Sequence, residues 1–121
     1  MIKNLILIGL GGGLGSILRY LSVLYFKENA YPWATLFVNI LGSFIIGIVV
    51  ALFLKNGNWP LSYRLFLATG ICGGFTTFSS FSLENMELLN AGKYGLALFY
   101  ICISIMGGLL ACWWGYRLVQ T

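Results

Sequence analysis

Histidine and aspartate are missing from this chain, and glutamate occurs only three times, as Glu28, Glu84 and Glu87. Acid–base catalysis and hard-cation sites draw on those side chains, so little of either chemistry is open to it. Charge of any kind is scarce: 8% of the 121 residues are charged, where a soluble domain carries about 25%. Three cysteines, Cys72, Cys102 and Cys112, fall inside apolar segments. Their number is odd and, without histidine, their spacing fits no zinc pattern, so they read as small packing residues. A membrane enzyme would lack His, Asp and a reactive-thiol setting.

What remains is apolar: 60% hydrophobic residues and a mean hydropathy of +0.91. A membrane helix needs about 20 such residues, so the chain has room for four and for no soluble domain. We read residues 1–121 as one all-α integral membrane domain. Its helices are predicted at about 5–26, 33–54, 61–89 and 95–118, with loops at 27–32, 55–62 and 90–94. The first run is longer than a signal peptide's core and has no evident cleavage site, so it is expected to be retained. The net charge of +4 would suggest nucleic acid in a soluble protein; here the basic residues lie mostly in loops, and no nucleic-acid partner is expected. With four spans, Lys3, Lys55, Arg64 and Arg117 share one side and Lys27 and Lys93 the other. Four against two is a weak positive-inside bias. It is compatible with one orientation, or with insertion both ways and antiparallel pairing. Tyr25, Tyr31, Trp33, Trp59, Trp113, Trp114 and Tyr116 read as interfacial aromatics.

Helix 1 carries Gly9, Gly11, Gly12, Gly13 and Gly15. Gly9/Gly13 and Gly11/Gly15 have the small-xxx-small spacing that lets helices approach closely in lipid. A dinucleotide loop is excluded, because the G-x-G-x-x-G spacing and a strand–helix unit are both absent. Arg19, about two turns from the helix end, either snorkels to the interface or serves as a vestibule cation that concentrates anions. Asn39 of helix 2 is costly in hydrocarbon unless partnered. It reads either as interhelical glue or as an anion contact through its amide protons. Tyr100 and Ser104 share a face of helix 4.

The third span does not read as a plain helix. Gly73 and Gly74 are followed by five hydroxyl residues in seven positions, Thr76, Thr77, Ser79, Ser80 and Ser82, with Phe75, Phe78 and Phe81 between them. Glycine weakens a helix, and Ser and Thr compete for its backbone hydrogen bonds. A straight helix over 61–89 would be about 43 Å long against a hydrocarbon core of about 30 Å. We therefore expect a break at 73–78, in mid-membrane, tolerated because it is covered by protein or lines a wet cavity. Hydroxyls can donate to an anion, and aromatic rims are weakly positive. With no carboxylate in the stretch, the balance favours an anion held too weakly to be trapped. The bland alternative is that the three Phe side chains only pack. Carbonyls freed around 73–76 need a donor or a cation, and two copies meeting on a two-fold axis can cage a monovalent ion. Glu84 reads either as a buried partner of another helix or as a residue of the rim.

These motifs resemble the Fluc (CrcB-type) fluoride channels over nearly the whole chain. Gly12-Gly13-Leu14-Gly15-Ser16-Ile17-Leu18-Arg19-Tyr20 is similar to the family's first-helix motif, and Thr35-Leu36-Phe37-Val38-Asn39 with Gly42-Ser43-Phe44 to its second. The run from Gly70 to Ser82 with Glu84 is similar to its third and is the most specific. The resemblance implies an antiparallel, dual-topology homodimer with two fluoride pores in a bacterial inner membrane. It implies a structural sodium ion at the dimer interface, held by the backbone carbonyls of Gly73 and Thr76. It also implies an ion path lined by Asn39, Phe78, Phe81, the hydroxyls of Thr77, Ser79, Ser80 and Ser82, and Tyr100 and Ser104, with Arg19 as the family's arginine. Ser80 stands where Thr is usual and Phe75 where Leu is common; neither change removes the chemistry. The implied activity is passive export of toxic fluoride. The alternative, a small dual-topology proton-coupled multidrug exporter, would need an acid in helix 1, and there is none.

Overall fold

The computed structural model describes residues 1–26 and 32–121. The expected first loop, with Lys27, Glu28 and Tyr31, lies outside the described residues except for Pro32. Among the described residues four helices are long and apolar enough to cross a membrane: Ile2–Tyr25, Trp33–Lys55, Leu61–Asn90 and Tyr94–Gln120. The first two are α1 (Ile2–Tyr25) and α2 (Trp33–Lys55). The third span is composite: α3 (Leu61–Arg64), a π-helical segment Leu65–Cys72, α4 (Gly73–Phe75) and α5 (Phe78–Asn90). The last helix is α6 (Tyr94–Gln120).

Local chemistry sets the ends. Pro60 precedes α3, as its missing amide allows. Gly92 closes α5 with φ 76°. In that left-handed conformation the Lys93 amide donates to the Leu88 carbonyl (2.9 Å) and the Gly92 amide to Leu89 (3.0 Å), which satisfies the last carbonyls of the helix.

The spans pair in parallel, α1 beside the third span and α2 beside α6. The first pairing rests on bare backbone. A methyl group added at Gly11 would strike the Phe66 carbonyl, one at Gly15 the Ile71 carbonyl, and one at Gly74 the Gly12 carbonyl. Only one of the two expected glycine pairs is used in this way, because Gly9 and Gly13 have nothing within 4 Å of an added methyl. The second pairing is similar: Gly47 abuts the Cys112 carbonyl and Gly115 the Phe44 carbonyl. A small apolar core of Leu36, Leu88, Ala97 and Tyr100 joins α2, α5 and α6. Most other large apolar side chains, such as Leu98, Met106 and Leu109, point outwards, as surfaces facing acyl chains do. All three cysteines are free thiols.

Two features of the third span depart from expectation. Gly73 and Gly74 are helical rather than broken. Gly74 is needed because the Gly12 backbone crosses there. Ahead of them, residues 65–72 widen into a π-helix, with the Gly73 amide reaching back to the Ala68 carbonyl. Such wide turns mark sites where a helix is re-aimed. The non-helical backbone is confined to Thr76 (φ −84°, ψ 157°) and Thr77 (φ −151°, ψ 120°), both extended.

Candidate functional site

The extended pair survives because neighbouring side chains replace the lost ladder. In a regular helix the amides of Thr77 and Ser80 would bond the carbonyls of Gly73 and Thr76. Here the Thr77 amide donates to Asn39 Oδ1 at 2.8 Å. The Ser80 amide donates to Thr77 Oγ1 at 3.1 Å, which makes Thr77 the N-cap of α5. Asn39 also donates from Nδ2 to the Thr77 carbonyl at 3.0 Å. Arg19 Nε donates to the Gly74 carbonyl at 3.1 Å, the group that Phe78 would serve in an unbroken helix. Arg19 therefore spans from α1 to the carbonyl end of α4, where a cation opposes the negative end of the helix dipole.

Past the break, Phe78 is 77% exposed. Its ring lies 5.7 Å from that of Phe81, tilted by 44°. Phe81 meets the Tyr100 ring edge-on at 5.0 Å, so three rings form one row. Thr77 Oγ1 and Ser79 Oγ lie 3.2 Å apart and share a hydrogen bond. Ser79 and Ser82 are exposed and Ser80 half-buried.

Tyr100 itself is fully buried. Its hydroxyl donates to Glu84 Oε1 at 2.9 Å, and Thr35 Oγ1 donates to Glu84 Oε2 at 2.9 Å. Of the two readings of Glu84, the structure favours the buried partner: one carboxyl group ties α5 to both α2 and α6. Ser104, one turn beyond Tyr100, is half-buried; its hydroxyl oxygen is buried and has no hydrogen-bond partner among the described residues.

Beside the break is a cavity of about 330 Å³, lined in part by Asn39, Ser43, Gly73, Thr76, Thr77 and Phe78. Two of its hydroxyls spend their protons on their own helices: Ser43 Oγ donates to the Asn39 carbonyl (2.7 Å) and Thr76 Oγ1 to the Cys72 carbonyl (2.9 Å). Each then presents lone pairs to the cavity. Asn39 Nδ2 has two protons, of which the Thr77 carbonyl takes one. An acceptor-rich wall and a row of rings and hydroxyls thus meet at the break, with Phe78 common to both.

A family model described as "CrcB-like protein, Camphor Resistance (CrcB)" matches residues 6–116. The chain belongs to the CrcB family. Its relatives include proteins named "Fluoride-specific ion channel FluC". The one from Azobacteroides pseudotrichonymphae is 46% identical over 123 residues, covering 99% of this chain and 98% of the relative. The one from Thermus thermophilus is 48% identical over 120 residues, covering 97% and 94%. The one from Agrobacterium fabrum is 45% identical over 118 residues, covering 95% and 94%.

In this CrcB-family chain, Asn39, Thr77, Phe78, Phe81, Ser79, Ser80 and Tyr100 adjoin one another through the contacts above. Arg19 reaches the same break from its other side. Sequence reasoning missed Thr35 and the role of Ser43. Thr35 carried a signal, since it stands one turn before Asn39 on the same helix.

Proposed function

We propose that this CrcB-family protein is a passive, fluoride-selective channel of a bacterial inner membrane, exporting fluoride that accumulates when HF enters and dissociates. The reading is carried by the nearly full-length likeness to relatives named fluoride-specific ion channels. The geometry supports it. The remaining Nδ2 proton of Asn39, the hydroxyls of Ser79, Ser80 and Ser82, and the rims of Phe78 and Phe81 offer an anion many weak donors and no fixed positive charge. Binding of that kind admits an ion without trapping it. Thr77 acts mainly by capping α5 and holding the break in shape. Tyr100 contributes its ring, because its hydroxyl is committed to Glu84. Arg19 braces the break and keeps a positive charge near it.

The conducting unit in this proposal is an antiparallel, dual-topology homodimer with two pores and with the third spans crossing in mid-membrane. Gly73 and Thr76 fit a structural sodium ion at that crossing. Theirs are the two carbonyls whose usual amide donors go to Asn39 and Thr77, and Gly73 lies at the surface. Four such carbonyls, two from each chain, would replace part of the hydration shell of a small monovalent cation and would link the chains. Among the described residues no cluster of His, Cys, Asp or Glu is suited to a metal, so carbonyls are the ligands on offer.

The experiment is a fluoride-electrode efflux trace from liposomes that contain the purified protein. Fluoride should leave without a pH gradient, and chloride should stay behind. Efflux that needs a proton gradient would point instead to a coupled exporter.

A further inference from the structure

Away from the break, a second concavity of about 360 Å³ opens between the start of α1 and the start of the third span. It is lined by Lys3, Leu7, Ser62, Tyr63, Phe66 and Leu67. Lys3 and Leu7 stand one turn apart on α1, so the groove has a cationic mouth and, one turn deeper, an apolar floor. Ser62 and Tyr63 add hydroxyls beside the mouth. This end of the bundle also carries Lys55, Arg64 and Arg117. Each of these is engaged: Lys55 Nζ donates to the Val119 carbonyl at 3.1 Å, Arg64 lies 5.5 Å over the Phe53 ring, and Arg117 lies 5.7 Å over the Trp113 ring. Lys3 is exposed and makes no hydrogen bond, ion pair or ring contact among the described residues. The described glutamates, Glu84 and Glu87, belong to α5 at the opposite end of the bundle. An unengaged cation above an apolar floor at the end of two membrane spans matches an amphipathic anion, with its charge at the mouth and its chain along the floor.

We propose that this groove is a binding site for one anionic phospholipid per chain. Its phosphate is paired with the Lys3 ammonium and reached by the Ser62 and Tyr63 hydroxyls, and an acyl chain lies on Leu7, Phe66 and Leu67. A free phosphate would gain nothing from that floor, and a zwitterionic lipid would gain little from Lys3.

The test is native mass spectrometry of the purified protein after equilibration with mixed micelles containing equal dioleoyl phosphatidylglycerol and dioleoyl phosphatidylcholine. Retention of one phosphatidylglycerol per chain, in preference to phosphatidylcholine, is expected. Lys3→Gln should lower that preference by about fivefold, the worth of one basic residue near a lipid headgroup. Lys93→Gln, at the other end, should leave it unchanged. Leu7→Trp, which fills the groove and keeps the charge, should also reduce retention. Equal retention of both lipids, or a Lys3→Gln protein that behaves as wild type, overturns the site. So does a Leu7→Trp protein with full retention, which would mean diffuse surface attraction. Displacement by inorganic phosphate would mean a free-anion site and overturns the lipid assignment.

Discussion

Asn39 grips the peptide unit of Thr77 at both polar groups, accepting from its amide at 2.8 Å and donating to its carbonyl at 3.0 Å. One side chain of α2 thus does for Thr77 what a neighbouring turn of helix would otherwise do. Asn39→Ala should leave two backbone groups unpaired at membrane depth, at a cost of about 1–3 kcal/mol each. Fluoride efflux should fall by roughly tenfold or more, and the thermal transition should move down as well. An Asn39→Ala protein of unchanged thermal stability would refute the clamp.

The row of rings separates conduction from folding. Phe78 is largely exposed in the single chain, so Phe78→Ile should lower fluoride efflux strongly with little change in thermal stability. Phe81→Ile should lower both, because Phe81 also meets Tyr100. Efflux at wild-type rates in both variants would remove the rings from the ion path.

Glu84 and its two hydroxyl donors form a unit that a double-mutant cycle can isolate. Glu84→Gln sets an amide donor against a donor hydroxyl, and Tyr100→Phe removes one of the two donors. We expect a coupling of about 0.5–3 kcal/mol between these changes in thermal or denaturant unfolding, as for residues in one hydrogen-bond network. Additive effects would show that Tyr100 and Glu84 do not act together.

The glycines of α1 are predicted to differ sharply. Gly15→Ala puts a methyl group into the Ile71 carbonyl and should cost about 1–3 kcal/mol or more through overpacking. Gly13→Ala meets nothing and should be neutral, or stabilising by about 0.5–1 kcal/mol through helix propensity. The comparison is read by thermal unfolding in detergent, and equal effects at the two positions would contradict the backbone contact.

The proposed sodium ion is tested by exchange. With all sodium replaced by N-methylglucamine, the dimer should dissociate more readily on dilution and fluoride efflux should fall; return of sodium should restore both. Unchanged assembly and flux would argue against an ion held by Gly73 and Thr76.

Much of this was legible in the sequence. Apolar run lengths marked the four spans, and the crowding of hydroxyls after Gly73-Gly74 marked the irregular stretch. What stayed hidden is tertiary. Both glycines looked like helix breakers, yet Gly74 is small because Gly12 passes against it, and no local pattern carries that. The π-helical turns of Leu65–Cys72 lie in a run so uniformly apolar that no periodicity distinguishes them from an ordinary helix. Glu84 stayed ambiguous because its partners, Thr35 and Tyr100, come from two other helices. The cost of Asn39 in hydrocarbon is plain from the sequence, but only the fold supplies Thr77 as the group that meets it.

The borrowed hydrogen bonds at Gly74 and Thr77 bear on how the chain is made. A segment whose Thr77 amide is satisfied from α2, and whose Gly74 carbonyl is covered from α1, is not self-sufficient in lipid. Synthesis from the N-terminus delivers both helpers to the bilayer before Thr76 leaves the ribosome. A permuted chain that emitted the third span first would present the insertion machinery with a helix it has no means of completing.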